Sequence, residues 1–154
     1  MSKKVLIANR GEISLRAIRA CKELGLKTVC IYSEGDKELK SLRFSDESVC
    51  VGPADPTKSY LDAPTILSAA DVTGSDAIYP GYGFLAEDHS FAEQCNLSGF
   101  KFIGPSSQTI RQMGDKITAK SIVTKYGIDG VPGYDKELPN NCLLYTSDAA
   151  DERS

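Results

Sequence analysis

Two glycines enclose a tyrosine where a predicted strand gives way to a helix: Gly81, Tyr82 and Gly83 lie within the segment AIYPGYGFLAED. Glycine lets the backbone adopt conformations that other residues avoid and approach a ligand closely. The loop could therefore present Tyr82 to a ligand, with Glu87 as a second contact. A tight turn with ordinary packing is the competing interpretation, and the residues alone do not decide between the two.

A lysine follows a predicted helix cap in the segment IRQMGDKITAKS. Asp115 is expected to cap that helix, and Lys116 lies in its first turn. A positive charge is unfavourable at this end of the helix dipole. Lys116 is therefore a candidate for binding an anion such as a phosphate, with a solvated lysine as the alternative.

The first strand-to-helix turn has the sequence ANRGEI. A dinucleotide-binding turn would show the pattern G-x-G-x-x-G, but this turn contains only Gly11. Glu12 would repel an anionic cofactor at the helix start. We expect a Rossmann-like shape without a dinucleotide site. Alternatively, Gly11 only turns the chain and Glu12 only offsets the helix dipole.

The elements that must position these residues alternate along the chain. Strands are predicted at 4–8, 27–33, 48–51, 75–80 and 100–105. Helices are predicted at 11–25, 60–74, 87–99 and, as two short helices joined near Gly114, at 106–127. Such alternation indicates an α/β fold with a parallel sheet and helices on both faces. Ligands of these sheets bind at the carboxyl ends of the strands, where the predicted loops are rich in Gly and Pro.

The predicted helices carry further local signals. The first helix should bury the apolar stripe formed by Ile13, Ala17, Ala20 and Leu24. Asp62 is expected to cap the second helix.

Composition indicates an ordinary soluble protein: 154 residues, a net charge of −3, 41% hydrophobic and 25% charged residues. There is no basic excess to favour nucleic acid, and no apolar run approaches the ~20 residues that span a bilayer. Cys21, Cys30 and Cys50 lie in apolar segments, so we expect buried free thiols and a cytoplasmic location. The widely spaced cysteines and the single histidine, His89, argue against a metal site.

The end of the chain breaks the alternation. From Cys142 the sequence reads CLLYTSDAADERS, without a strand or helix pattern. This run resembles a translated transposon-end adapter of the kind used in sequencing libraries. We expect residues 142–154 to be a non-native tail on a truncated gene fragment, with a natural polar tail as the alternative.

Several segments together resemble biotin carboxylase, the ATP-grasp enzyme of biotin-dependent carboxylases, from Lys3 to about Asp135. They are KVLIANRGEI, RACKELGLKTVCIYSEGD, PGYGFLAED, FKFIGPSSQTIRQMGDK and VPG. The segment VGPAD…KSYLDAPTIL looks more like the bacterial acetyl-CoA carboxylase subunit, but pyruvate and propionyl-CoA carboxylases share most of the pattern. The chain departs from the family at Tyr79, Ala86 and Asp88, where His, Ser and Asn are usual.

The resemblance implies a Rossmann-like (pre-ATP-grasp) N-terminal domain over 1–114, the start of an ATP-grasp region over 115–141, and truncation there. It implies a ligase that uses ATP, Mg²⁺ and bicarbonate to carboxylate biotin on the biotin carboxyl carrier protein. That is the first half-reaction of acetyl-CoA carboxylase, in fatty acid synthesis. A non-catalytic nucleotide-binding module is the alternative.

The resemblance also implies roles for individual residues. Lys116 matches a lysine that binds ATP, while Tyr82 and Glu87 match a loop near biotin and bicarbonate. The catalytic and Mg²⁺-binding residues of the family would fall after Asn141, so we expect the fragment alone to be inactive.

One face of the first predicted helix carries mixed charge. Arg16, Arg19 and Glu23 are spaced for a shared helix face, and such a patch can meet its own copy across a twofold axis. The family often dimerises through this region, so these residues are candidates for a homodimer interface. A solvated charged face is the commoner explanation of such a pattern.

Overall fold

The structure, a computed structural model, describes residues 3–128 of the chain. The predicted tail at 142–154 and residues 129–141 of the expected ATP-grasp segment lie outside the described residues. The chain divides into two compact units, with the division after Arg111. The first unit contains the sheet and most of the helices, and the second begins within the fourth helix. The predicted domain boundary at residue 114 stays a prediction.

The first unit contains a five-stranded sheet in which every pairing is parallel, with the order β3-β2-β1-β4-β5. The strands are β1 (Lys4–Ile7), β2 (Lys27–Tyr32), β3 (Glu47–Cys50), β4 (Ala77–Tyr79) and β5 (Lys101–Phe102). All five predicted strands are present, and the predicted α/β class is confirmed. Because the strands are parallel, their carboxyl ends share one edge of the sheet.

Five α-helices accompany the strands in the described residues. They are α1 (Gly11–Glu23), α2 (Ala63–Val72), α3 (His89–Leu97), α4 (Ser107–Gly114) and α5 (Lys116–Lys125). No described helix has the length and apolar character needed to cross a membrane.

Two apolar cores lie on opposite faces of the sheet, because successive side chains of a strand point to opposite sides. The larger core joins Leu6 to Ile66 of α2 and Phe91 of α3. The smaller core joins Ile7 to Ile18 of α1. Helices therefore cover both faces, as the alternation predicts.

The predicted buried stripe of α1 is right at Ala17 and wrong at Ala20 and Leu24, which are exposed. Ser14, Ala17 and Ile18 are the buried residues of this helix, whereas Leu24 is 73% exposed. The helix is rotated about its axis relative to the expected orientation, so that Ile18 reaches the core over β1 and β2. Ala20 and Leu24 instead line a surface groove with several apolar residues of the sheet region, namely Val5, Leu26, Tyr79 and Ile103.

The predicted caps have mixed outcomes. The Asp115 carboxylate caps α5 by accepting hydrogen bonds from the backbone N–H groups of Ile117 and Thr118. Asp62 lies at the N-cap position of α2, but its carboxylate accepts a hydrogen bond from the Thr65 hydroxyl instead of a backbone N–H. The Thr65 hydroxyl therefore takes the place of the backbone N–H group that the Asp62 carboxylate was expected to bind.

The described cysteines are all free, and two of them, Cys30 and Cys95, are fully buried. Cys21 is half-buried. The expectation of burial fails at Cys50, which is exposed because β3 is an edge strand with little cover.

Candidate functional site

Loops that follow neighbouring strands contact each other at the carboxyl edge of the sheet. Asp36, after β2, accepts hydrogen bonds from the hydroxyl of Tyr60 at 2.7 Å, from Arg10 Nη1 at 3.2 Å and from the Ser33 hydroxyl at 3.1 Å. The ring of Tyr60 stacks on Phe84, with 5.1 Å between centroids. We call Arg10, Asp36, Tyr60 and Phe84 the strand-end cluster, because they follow β1, β2, β3 and β4 respectively.

Charge and aromatic contacts hold the strand-end cluster together. The Arg10 guanidinium lies 5.4 Å from the ring centroid of Tyr60 and 5.6 Å from that of Phe84, within the range of cation–π attraction. Burial and the hydrogen bond to Asp36 raise the pKa of Tyr60 to about 12. Burial alone would raise the pKa of Asp36, but the bonds from Tyr60, Arg10 and Ser33 hold it below its ordinary value. The cluster therefore keeps a neutral phenol beside an ionised carboxylate.

Sequence reasoning missed the strand-end cluster. Nothing local in the sequence marks Arg10, because its partner Asp36 lies 26 residues away. The cluster could have been predicted from the positions of its members, because polar and aromatic residues that follow parallel strands converge at one edge of the sheet.

The loop of residues 80–88, which follows β4, has an unusual backbone. Gly81 and Gly83 both have φ near +69°, and Phe84 has φ +44° although it is not a glycine. This confirms that the two glycines supply conformations that other residues avoid. A Cβ on Gly81 would lie 2.6 Å from Ile13 Cγ2 and 3.0 Å from Asn9 Nδ2, so the loop also lies close against the start of α1.

Tyr82 is exposed to solvent and yet held in place. The residue is 64% exposed, and its hydroxyl donates a 2.8 Å hydrogen bond to Glu12 Oε1. That bond and the negative charge of Glu12 raise the pKa of the Tyr82 phenol. The ring is therefore neutral at physiological pH and available to a ligand, while Glu12 does more than offset a dipole.

The residues around Tyr82 pack on both faces of the sheet. Leu85 and Phe84 pack in the larger core, whereas Tyr79 packs against the smaller core on the other face of the sheet. Tyr79 and Ile78 are consecutive strand residues, so their side chains point to opposite faces.

Glu87 lies in the same loop and is exposed. Its carboxylate makes no hydrogen bond or ion pair within the residues 3–128. The next residue, Asp88, caps α3 by accepting from the N–H groups of Ser90 and Phe91. Asp88 thus anchors the end of the loop, and Glu87 stays open to solvent.

Lys116 belongs to the second unit and is exposed at the first residue of α5. The N–H groups of Ile117 and Thr118 are already taken by Asp115. The helix end therefore offers an anion the lysine charge, while those two backbone donors are in use. Four later residues of the same helix, Ile117, Lys120, Ser121 and Thr124, line a pocket.

The described side chains contain no clustered metal ligands. Within residues 3–128 no group of three or more His, Cys, Asp or Glu side chains could hold a metal ion. These residues therefore do not form a metal cage made of protein side chains alone. Lys116 is exposed and its ammonium is accessible to an anion.

The candidate interface residues lie on the exposed side of α1. Arg16, Arg19 and Glu23 are all solvent-exposed, and none forms an ion pair within the described chain. Arg16 also borders the groove that contains Leu24. Charged side chains without partners next to exposed apolar surface are compatible with an interface and with a solvated face alike.

Comparison with known proteins identifies the family. A profile of the biotin carboxylase N-terminal domain matches residues 1–110. Biotin carboxylase of Pseudomonas aeruginosa is 58% identical over 141 residues, which cover 92% of this chain and 31% of that protein. The chain thus spans about a third of the length of this relative.

Solved structures show the same likeness. A complex of biotin carboxylase with β-γ-ATP from Campylobacter jejuni has a TM-score of 0.84 and 47% identity, covering 88% of this chain and 30% of that one. The biotin carboxylase domain dimer of Hydrogenobacter thermophilus 2-oxoglutarate carboxylase, in complex with MgADP, ADP and bicarbonate, has a TM-score of 0.87 and 44% identity. It covers 100% of this chain and 33% of that one. With its parallel sheet, its glycine-bounded Tyr82 loop and these matches, the chain belongs to the biotin carboxylase N-terminal domain family.

Proposed function

We propose that this chain is the N-terminal domain of a biotin carboxylase of the acetyl-CoA carboxylase type. In that enzyme, ATP activates bicarbonate, and biotin on its carrier protein receives the carboxyl group. The observation that carries the proposal is the 58% identity to a biotin carboxylase over 141 residues, which includes the Tyr82 loop at the carboxyl edge of the sheet. The final acceptor of the carboxyl group would be set by a partner subunit or domain.

In this proposal the Tyr82 loop contacts the biotin and bicarbonate. The loop is fixed at its start by Asn9 and at its end by the Asp88 cap, so Tyr82 and Glu87 are presented from a rigid support. A phenol with a raised pKa stays neutral near pH 7. We therefore assign Tyr82 a role in binding and orientation, and no role as a base.

Lys116 is proposed to contact a phosphate of ATP. Its ammonium is exposed, and a lysine acts on phosphate as a mobile point charge. Bound ATP and Mg²⁺ would supply phosphoryl transfer to bicarbonate, a chemistry that depends chiefly on positioning and charge stabilisation. Lys116 would neutralise part of that charge.

A chimeric enzyme tests the proposal. Residues 1–128 of this chain replace the matching segment of the Pseudomonas aeruginosa biotin carboxylase, whose remainder supplies the other two thirds. We expect carboxylation of free biotin that depends on ATP and bicarbonate, followed as ADP release. The remainder alone is the negative control. A folded chimera that hydrolyses no ATP in the presence of biotin and bicarbonate would contradict the proposal.

The 154-residue chain alone should carboxylate no biotin and should bind ATP weakly, because it spans only about a third of its relatives. Isothermal titration with ATP measures the second point. Tight binding to the isolated chain would show that a nucleotide site lies within it, in favour of the alternative of a self-contained nucleotide-binding module.

The homodimer is part of the same proposal. Arg16, Arg19 and Glu23 would lie in a twofold interface, where each patch meets its own copy. Arg19→Glu in the chimeric enzyme should lower the dimer fraction measured by light scattering. Asp71→Lys, a charge reversal at an exposed position of α2 on the opposite face of the sheet, should not. Equal effects of the two variants on the dimer fraction would show that Arg19 does not lie in the interface.

A further inference from the structure

Asn9, the second residue after β1, has a fully buried side chain. Its Nδ2 group donates to the backbone carbonyls of Pro80 at 2.7 Å and of Tyr82 at 2.9 Å. Its Oδ1 atom accepts a 2.9 Å hydrogen bond from the N–H of Arg10. Both amide protons are thus used on a single loop that lies more than 70 residues away in the sequence.

The two carbonyls flank Gly81, the residue with φ +69°. Hydrogen bonds to the backbone on both sides of a left-handed residue fix the direction of the chain after that residue. Gly81 in turn has no room for a Cβ, since that atom would lie 2.6 Å from Ile13 Cγ2 and 3.0 Å from Asn9 Nδ2. Asn9 and Gly81 are therefore complementary in shape and in hydrogen bonding.

Tyr82 follows Gly81, and its side chain is also bound by the segment that contains Asn9. Its hydroxyl bonds to Glu12, three residues after Asn9. The backbone and the phenol of Tyr82 are thus both anchored to residues 9–12, while its ring is exposed. Both donors of the buried Asn9 amide therefore bond to the loop that carries Tyr82, and neither bonds to another part of the core.

We propose that Asn9 is a positioning residue that fixes the direction in which Tyr82 is presented at the candidate site. The identity of the ligand rests on the proposed function, but the positioning does not. Loss of the two amide donors should release the loop and separate the phenol of Tyr82 from Glu12.

The test uses the 154-residue chain with ¹³C-labelled tyrosine rings, observed by NMR. The Tyr82 signal is assigned with Tyr82→Phe. Glu12→Gln shows the shift expected when Tyr82 loses its charged partner. Asn9→Asp preserves shape but removes both donors, and Asn9→Ala removes the amide without burying a charge. Asn96→Asp, at an exposed position on α3, is the matched control.

In both Asn9 variants we expect the Tyr82 signal and its titration to move towards those of Glu12→Gln, with the signal of the exposed Tyr126 in the second unit unchanged. At low pH the Tyr82 signal of Asn9→Asp should approach that of the unaltered chain at the same pH, because a protonated carboxyl can donate one of the lost bonds. A native Tyr82 signal in a folded Asn9 variant overturns the proposal.

A measurement on the unaltered chain remains decisive even if both variants fail to fold. Amide protons bonded to two carbonyls inside the protein should exchange slowly with solvent. Side-chain amide protons of Asn9 that exchange as fast as those of Asn96 would also overturn the proposal.

The chimeric enzyme adds a functional measurement. Asn9→Asp should raise the KM for free biotin by about 10-fold, equivalent to about 1.4 kcal/mol, with the KM for ATP changed by less than about twofold. An equal rise in both KM values would indicate general damage and count against positioning. An inactive unaltered chimera would instead count against the proposed function and leave the NMR result standing.

Discussion

Tyr60 donates a 2.7 Å hydrogen bond to Asp36 and thereby joins the loop after β3 to the loop after β2. The same hydroxyl accepts a 3.0 Å hydrogen bond from the buried backbone N–H of Ser33. One phenol thus satisfies two groups at the edge of the sheet where the candidate site lies. The strand-end cluster is a support for that site as much as part of the core.

Tyr60→Phe should lower the free energy of unfolding by about 1–3 kcal/mol, since it leaves the Ser33 N–H without its partner inside the protein. Urea unfolding at pH 7 measures the loss. Tyr32→Phe is the control, because the Tyr32 hydroxyl makes no hydrogen bond within the described chain. Similar losses in the two variants would show that the phenol bonds contribute little.

Arg10→Lys should weaken the strand-end cluster by about 1 kcal/mol, because an ammonium cannot reproduce the planar contact of a guanidinium with two rings. Arg19→Lys, on the exposed face of α1, should be nearly neutral. Thermal unfolding of both variants checks the difference. An Arg10→Lys protein as stable as the original would mean that charge alone suffices at this position.

Gly81→Ala should destabilise the chain more than Gly74→Ala. Both glycines have positive φ, so both substitutions cost about 1–2 kcal/mol of backbone strain. Only Gly81 also faces atoms at 2.6 and 3.0 Å, whereas a Cβ on Gly74 meets nothing within 4 Å. Overpacking adds about 1–3 kcal/mol. Equal unfolding free energies of the two variants would show that Ile13 and Asn9 yield easily.

Asp46 should make stability depend on pH. The side-chain hydrogen bond from Thr28, together with the backbone bond from Thr28 and the charge of Lys27, lowers its pKa to about 2. A carboxyl with a lowered pKa stabilises the fold above its ordinary value of 3.8 and loses that effect as the pH falls towards about 2. Asp46→Asn should therefore be less stable at pH 7 and should lose less stability between these two pH values.

The measurement is the urea midpoint at several pH values for both proteins. Asp71→Asn, an exposed aspartate on α2 whose carboxylate makes no hydrogen bond in the described residues, is the control and should follow the original curve. An Asp46→Asn curve parallel to the original throughout the acidic range would contradict the assignment.

Much of the fold could be predicted from the sequence because the signals are local. Short apolar runs mark the strands, and glycines mark the turns between elements. Asp115 reveals the start of α5 by its capping chemistry. The glycines around Tyr82 likewise indicated the unusual backbone of that loop, and the order of strands and helices indicated a parallel sheet. Each of these signals involves residues that are close in the chain.

The tertiary structure decided which distant segments of the chain pack against each other. It buried Ile18 of α1 instead of Leu24, paired Arg10 with Asp36, and placed the Asn9 amide on the Pro80 carbonyl, 71 residues away. These contacts depend on the order β3-β2-β1-β4-β5, which puts β4 beside β1. Apolar periodicity shows that a strand exists but not which strand becomes its neighbour. For this reason the sequence by itself determined the elements and the loop that carries Tyr82, while the packing of distant segments decided how that loop is held.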